Sequence, residues 1–481
     1  MVKIYVDNRV RISRRELTEQ QERAVQKEFE HKNPMFAKKR AMGYNPWASE
    51  QPVIGTWLVD DDFISVPRGG LRRAQRILKH FGHRFDVTDR RFQGKPLSPN
   101  VRGLLELRPY QRRATQAAFN SENCLISSST GSGKTSMIIA MIPMVGVWTL
   151  VIVDSNAIAL EWVERAKNEL DLKGNEIGFI GKGRFDIKPI SVAMNQSLNA
   201  IKNEKKWQEI IRSFGMVACD EVHVFGASTF QTSIDRFPAR YRIGVSDDYR
   251  RPDGKHFLIE DMFGGVAYKV GDEELIEAGA IDNVRILVKE TQFKAPWYRI
   301  PSGAPGKYNR LLEEISRDTA RNTLIGNIAQ QEVEAGHQMM IITERDEHTD
   351  TLLAICRGRG IPCGKMVSGT ATFEKVASEI KSGLLKVGIG TQKSLGKGVN
   401  IPSLSRGINA GLVPKSLQPW RQRRGRFCRP TGDSAYWVLW DKQPLGNKPL
   451  RSLIEWNTDV LVDTSKGMID AKQFLKRPFS K

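Results

Sequence analysis

The apolar run CLISSS (124–129) passes directly into SSTGSGKT, Ser128 to Thr135, and from there into a stretch with helical spacing. Gly131 and Gly133 let the backbone curl, turning the N–H groups of Ser129, Thr130, Gly131, Ser132 and Gly133 toward one point. The helix that starts next adds the positive end of its dipole there. Lys134 can reach the outer phosphates of a nucleotide, and Thr135 can offer its hydroxyl to Mg²⁺. Ser128 stands where this motif usually begins with glycine, the position that matters least for the cradle. A strand–loop–helix of this kind works at the carboxyl edge of an open sheet, so it commits the surrounding chain to an α/β fold.

The neighbouring sequence has the pattern such a sheet requires. Apolar runs recur at TLVIVD (149–154), PISVAM (189–194), MVACDE (216–221) and YRIGVS (241–246), with helical stretches between them. Continuous apolar strands alternating with helices predict a doubly wound parallel sheet. After the loop-like KAPWYRIPSGAPGK (294–307) the alternation resumes with QMMIITE (338–344), CGKMVSG (363–369), KVGIGT (386–391), RGINAG (406–411) and AYWVLWD (435–441). We therefore expect two tandem α/β domains, 98–288 and 289–445, behind an N-terminal α+β module of residues 1–97. A tail, 446–481, is expected to pack back on the second domain.

The module carries strand signals in VKIYV and PVIGTWLV (52–59), a turn at Pro67-Arg68-Gly69-Gly70, and an amphipathic helix in LRRAQRILKHFG. QGKPLSPNVRG (94–103) reads as a linker. The stretch MIIAMIPMVGVWTLVIV (137–153) is short for a membrane span of about 20 residues, and Pro143 and Gly146 interrupt it. A buried helix, a turn and a buried strand are expected there instead. The N-terminus lacks the apolar block of a signal peptide, and the five scattered cysteines fit reduced thiols in a cytosolic compartment.

MVACDEVH ends in Asp220-Glu221-Val222-His223. A carboxylate at the end of a strand neighbouring the phosphate loop can hold Mg²⁺ through its water shell, the part expected of Asp220. Glu221 can orient or deprotonate an attacking water. Far downstream, WRQRRGRFCRP (420–430) crowds five arginines around Gln422 and Gly425, which set up a tight helix start. Arg426 and Arg429, three apart, share one helix face. Facing the nucleotide, they would stabilise the charge of a transferring phosphoryl group, worth about 10³–10⁵ in rate. Arg421, Arg423 and Arg424 read as structural or polyanion-facing.

The order of these elements resembles that of the superfamily 2 helicases of the DExH type. LRPYQ (107–111) resembles their adenine-recognising element, with Gln111 as the base-reading amide, and SSTGSGKT resembles motif I. VDSNAIALEW (153–162), VAMNQSL (192–198) and DEVH resemble motifs Ia, Ib and II; GVSDDYR (244–250) stands where motif III belongs. IGTQKSLGKGVNIP (389–402) resembles motif V and QRRGRFCR (422–429) motif VI. FGGVAYKV and LIEAGAI (263–281) resemble the connection between the two domains in DNA-acting members. The resemblance covers roughly 104–441. It implies a RecA-like fold for both domains, ATP and Mg²⁺ as cofactors, and Gly398 at the nucleotide cleft. It further implies nucleic-acid contacts for Ser155, Gln196 and Thr391, and coupling roles for His223, Ser246 and Gln422. Motif III usually reads Ser-Ala-Thr; here Ser246-Asp247-Asp248 departs from it at the element that links hydrolysis to movement.

Lys and Arg outnumber Asp and Glu by 74 to 54, a net charge of +20 that favours a polyanionic partner. The N-terminal pattern NPMFAKKRAMGYNPW, IGTWLVDDDFISVPRGGL and LRRAQRILKHFGHRF resembles the front domain of phage UvsW-type helicases. That implies branched DNA as substrate: fork regression, Holliday junction migration and unwinding, with 3′-to-5′ polarity. Arg68, Arg72 and Arg73, with Lys38, Lys39 and Arg40, are candidate duplex contacts. A monomer in the cytoplasm, the host's if phage-encoded, is expected. An RNA helicase and the motor subunit of a restriction or packaging system remain the alternatives.

Overall fold

The computed structural model describes the chain apart from residues 130, 173–175, 225–232, 252, 299–305, 368–369, 396–400, 402, 415–419, 421–431, 466 and 477–481. The chain divides into two compact units, Met1–Gly271 and Asp272–Lys481. Among the described residues no helix is long and apolar enough to cross a membrane.

The larger sheet of the first unit has eight described strands. In spatial order they are Arg184–Asp186, Ile177–Gly181, Ile190–Met194, Thr149–Val153, Met216–Asp220, Tyr241–Ser246, Asn123–Ser128 and Val266–Val270. All neighbours are parallel except the first pair. Every apolar run expected here is a strand, and the cores of these strands are buried throughout. The membrane-like stretch resolves into the helix Lys134–Val145, a left-handed Gly146, and the strand Thr149–Val153. Val266–Val270, read in the sequence as part of the connection between the domains, forms an edge strand beside the phosphate-loop strand, and the boundary between the two units follows directly at Gly271.

One expectation about order changes. Asp220 does not lie on the strand next to the phosphate loop, because Tyr241–Ser246 pairs with both and separates them. The chain leaves Asn123–Ser128, passes over two places to Thr149–Val153, winds outward, and later fills the gap. Chain order does not dictate spatial order in a doubly wound sheet, and the reversal point is where ligands bind.

The N-terminal module builds a five-stranded sheet in the order Leu58–Val59, Phe63–Pro67, Arg9–Ser13, Val2–Val6, Phe85–Asp89. Alternation in VKIYV buries Val2, Ile4 and Val6 against Val25 and Phe29 of one helical segment and Ala74 and Leu78 of the helix Leu71–His80. PVIGTWLV is not one strand: Val53–Gly55 pairs with Glu30–Lys32, and Leu58–Val59 joins the larger sheet of the module. The stretch read as a linker is pinned along its length. Lys95 N–H donates to Ser213 O (3.2 Å), Leu97 N–H donates to Gly146 O (2.9 Å), and Leu97 and Val101 are buried.

Buried charge fastens module to sheet. Asp261, 1% exposed, accepts from His31 Nε2 (2.9 Å), Thr56 Oγ1 (2.6 Å) and Arg73. Arg242, fully buried, donates to backbone oxygens of Asn8 (3.1 Å) and Phe237 (2.8 Å). Arg68, 3% exposed, donates to Asn123 Oδ1 (2.8 Å) and to the Ala239 carbonyl. The turn containing it needs two glycines. A Cβ on Gly69 would lie 2.2 Å from Gly264 N, and one on Gly70 would lie 2.2 Å from the Phe29 ring.

The second unit holds another eight described strands, ordered Cys363–Lys365, Val387–Thr391, Gln338–Thr343, Leu404–Asn409, Ala435–Trp440, Arg285–Glu290, Val460–Thr464, Gly467–Asp470, parallel except for the last pair. The sequence boundary at 288 cuts through Arg285–Glu290, which pairs entirely within this unit. The final segment does more than pack back on it, for Val460–Thr464 extends the sheet. A fully buried Arg321–Asp441 pair (3.0 Å) ties the helix Thr319–Glu334 to the end of Ala435–Trp440.

Burial alone would push the Asp261 carboxyl up; His31, Arg73 and Thr56 outweigh it and hold it below the ordinary carboxylate range. A lowered carboxyl stabilises fully above its unfolded value of about 3.9, and that contribution is lost as pH falls through the lower, folded one. We expect Asp261→Asn to destabilise the first unit by about 2 kcal/mol at neutral pH, less than for a wholly dry pair because Arg73 is partly exposed. Its loss of stability on acidification should be shallower than the parent's. Urea unfolding between neutral pH and pH 3 measures both, and parallel pH profiles would count against the fastening.

Candidate functional site

The parallel strands of the first unit end together, so Ser128, Val153, Met194, Asp220 and Ser246 arrive at one edge of the sheet. The phosphate loop leaves that edge. Gly131 and Gly133 take φ +90° and +78°, which residues with a Cβ rarely adopt. Gly133 is required twice over, since a Cβ there would stand 2.4 Å from Gln111 Nε2. Gln111 is buried and braces the loop: Nε2 donates to Ser132 O (2.9 Å) and Oε1 accepts from Arg108 N–H (3.0 Å). Tyr110 O–H donates to the same Ser132 carbonyl (2.8 Å). Thr135 sits in the first turn of the following helix.

Lys134 is 8% exposed, its Nζ donating to Ser128 O (3.2 Å) and lying 3.3 Å from Glu221 Oε1. Burial would lower its pKa, but Glu221, Asp247 and Asp220 outweigh burial and raise it, so the ammonium is secure. Asp220 lies deeper. Burial and the adjacent Glu221 push it up to about 6, against the opposing donation from Trp162 Nε1 (2.9 Å). Glu221 is driven the other way: burial would raise it, and Lys134 and His223 lower it well below the ordinary range. Two adjacent carboxyls pushed apart suit two tasks, one to hold a cation and one to act on a water. Glu221 also takes φ +52°, a left-handed conformation uncommon outside glycine and of the kind found at functional sites.

His223 Nδ1 lies 2.7 Å from Ser246 Oγ and 3.3 Å from Glu221 Oε2. Ser246 Oγ donates to Asp248 O (3.2 Å), and Ser127 Oγ donates to Asp247 O (3.1 Å). The Asp247-Asp248 departure is thereby accommodated: the backbone of both residues is bonded to neighbouring strand ends, and the charge of Asp247 bears on Lys134.

The arrangement fits a nucleotide triphosphate. The hydroxyls of Ser128 and Ser132 are buried with no hydrogen-bond partner, polar groups set in the cradle itself. Mg²⁺ would be held by Thr135 and Asp220.

Ser155 and Gln196 also stand at this edge. Ser155 Oγ accepts from Ile158 N–H (3.4 Å) as a helix cap, and Gln196 is exposed in the first turn of Asn195–Asn199. Two of the three arginines expected at duplex are bonded within the unit. Arg68 is enclosed and bonded inside the unit; Arg73 is committed to Asp261 and lies over the Phe29 ring, 4.5 Å from its centroid. Arg72 alone of the three is exposed. In the second unit Thr391 is 8% exposed, its hydroxyl accepting from Ser394 N–H (3.2 Å) as a cap. The concavity beside it bears Glu344, Asp346 and Glu347 with Arg345, three carboxylates to one guanidinium. Thr130, Gly398, Gln422, Arg426 and Arg429 lie outside the described residues.

Sequence reasoning missed Trp162 and Tyr110. Trp162 is inward-facing in a helix whose buried positions are Ala159, Trp162 and Ala166, a spacing that signals packing and conceals a hydrogen bond to a carboxylate. Tyr110 sits inside LRPYQ, where attention falls on Gln111.

Because Gln111 shares Ser132 O with Tyr110, Gln111→Ala should loosen the loop without collapsing it. We expect about tenfold weaker binding of a fluorescent adenine nucleotide, and further loss on adding Tyr110→Phe. Titration by fluorescence anisotropy checks this; unchanged affinity in the double variant would show the loop to be self-supporting.

Three comparisons bear on what carries this site. Residues 104–247 match the family described as the Type III restriction enzyme, res subunit. The "Probable helicase D10" of Escherichia phage T5 is 29% identical over 300 residues, 61% of each chain. The "DNA 3'-5' helicase XPB" of Mycobacterium tuberculosis is 23% identical over 390 residues, 79% of this chain and 68% of that one. The match thus spans about three-fifths of the phage relative's length. Among solved structures, S. cerevisiae Dbp5 bound to RNA and ADP BeF3 aligns over 75% of this chain and 90% of its own. Its TM-score is 0.55 at 13% identity, a likeness of fold. With its two parallel sheets, its phosphate loop and its Asp-Glu-x-His strand end, the chain is a two-sheet RecA-like protein resembling the superfamily 2 helicases.

Proposed function

We propose that the chain is an ATP-driven motor acting on DNA. The observation that carries this reading is the buried Lys134–Glu221 contact beneath a braced phosphate loop, with Asp220 beside it. ATP with Mg²⁺ supplies the electrophilic γ-phosphate and the cation that neutralises developing charge. The loop N–H groups and Lys134 hold the phosphates; Thr135 and Asp220 hold the cation. Glu221, kept ionised by Lys134 and His223, orients a water and accepts its proton at a carboxylate oxygen. Arg426 and Arg429 stabilise the transferring group. The His223–Ser246 contact joins the carboxylate strand to the strand between it and the loop, a short route from hydrolysis to a shift of the sheet edge.

In this reading residues 1–97 serve as a DNA-binding module, and the rest of the first unit up to Gly271 and the second unit from Asp272 serve as the two motor domains. DNA is favoured over RNA by the names of the XPB relatives, 3′-to-5′ DNA helicases; the net charge of +20 suits the phosphates of either. Movement from 3′ to 5′ and the remodelling of forks and Holliday junctions are the finer parts of the proposal. Arg72, the exposed residue of its triplet, is the duplex contact of this proposal. The match of 104–247 to a restriction res subunit favours one second reading, a motor that works with a separate nuclease.

Steady-state ATP hydrolysis with no polynucleotide, single-stranded DNA, duplex, forked DNA and RNA tests this. Forked or single-stranded DNA should stimulate most, and Lys134→Ala should lower the stimulated rate by 10² or more. Stimulation by RNA alone would replace the substrate, and no hydrolysis in any condition would overturn the motor. Remodelling of forks by the purified chain would disfavour the restriction reading.

A further inference from the structure

The N-terminal module shows a feature that the motor does not use. Met42, Tyr44 and Trp47 stand 61%, 62% and 61% exposed within one short turn. Single exposed apolar residues need no explanation, but three within six residues, two of them aromatic, do. Their turn is built. Asn45 Oδ1 accepts from Trp47 N–H (3.2 Å), Tyr44 N–H donates to Lys39 O (3.0 Å), and Lys39 Nζ donates to Ser49 Oγ (2.9 Å). Pro46 fixes the start of the 3₁₀ turn that carries the indole. Trp47 stands edge-on to the buried Phe36 ring, centroids 4.9 Å apart, so one side of the indole is supported while the side chain stays largely open. Lys38 and Arg40, both exposed, flank the turn at the end of the helix Pro34–Ala41.

We propose that Tyr44 and Trp47 form a platform on which unpaired bases stack, with Lys38 and Arg40 taking the adjoining phosphates; this rests on the DNA reading above and names the part of DNA that the module meets. Aromatic faces beside cations match single-stranded nucleic acid, whose bases offer π-faces and whose backbone offers charge. A paired base offers its face to its stacked neighbours and not to a protein, so the platform selects the unpaired strand where a duplex opens. Preorganisation matters here, because a rigid aromatic loses little freedom on stacking.

The test uses the full chain and a fork with 2-aminopurine in the unpaired arm next to the junction. Wild-type protein should change the probe's fluorescence on binding. Tyr44→Ala with Trp47→Ala should abolish that change and weaken affinity for fork and single strand about tenfold, while blunt duplex affinity moves less than twofold. Trp47→Phe, which keeps a ring on Phe36, should restore most of the signal, and thermal unfolding of each variant separates lost binding from lost folding. Fork affinity equal to wild type in the double variant, or equal loss on fork and duplex, overturns the platform. Self-association of the wild type that the double variant abolishes assigns the turn to a second copy and overturns it as well. A wild type that binds no form of DNA instead overturns the DNA reading itself.

Discussion

A lysine nine-tenths enclosed needs a counter-charge, and at this sheet edge Glu221 supplies it. Much of the site follows from that one contact. To bring its carboxylate to Lys134, Glu221 turns into a left-handed backbone conformation. The same turn sets its second oxygen beside His223, which reaches Ser246 on the intervening strand. Lowering Glu221 leaves Asp220 as the carboxyl that bears the cost of burial, and Trp162 is there to bond it. Lysine, two carboxyls, imidazole and hydroxyl therefore share one electrostatic account, and a change at one should be felt at the others.

The parts of the fold legible in the sequence are those written as continuous apolar runs. TLVIVD and YRIGVS could hardly be anything but buried strands, and they are. What sequence could not give is which strand lies beside which. Asp220 was expected next to the loop because the two motifs cooperate, yet cooperation needs only a common edge, and a third strand separates them. VAYKV and RILVKE were missed as members of their sheets for the opposite reason. Each is short and mixed, and only its pairing partners reveal where it belongs.

The candidate site was legible where chemistry dictates residue type, in the glycines, Lys134 and the Asp-Glu pair. It was least legible among arginines. A net charge of +20 suggests a positive surface, but Arg68, Arg242, Arg321 and Arg406 lie inside the two units, bonded to carbonyls or carboxylates. Guanidinium suits that use because its five donors can satisfy several backbone oxygens at once. Counting cations measures how many there are, and the interior takes its share before any partner does. Of the three arginines expected at a duplex, Arg68 and Arg73 went to the interior in this way.

The pair Gly69-Gly70 has a consequence for inheritance. Backbone touches backbone at Gly264, and the buried Phe29 ring fills the space over Gly70, so an added methyl at either position forces a neighbour to move. The module and the helix Phe257–Phe263 are fitted to each other more tightly than either is to solvent. A front piece borrowed from a distant relative would arrive with the wrong relief on its underside. Recombination that shuffles such modules among motors must therefore carry a stretch some two hundred residues downstream along with it, or leave the joint proud.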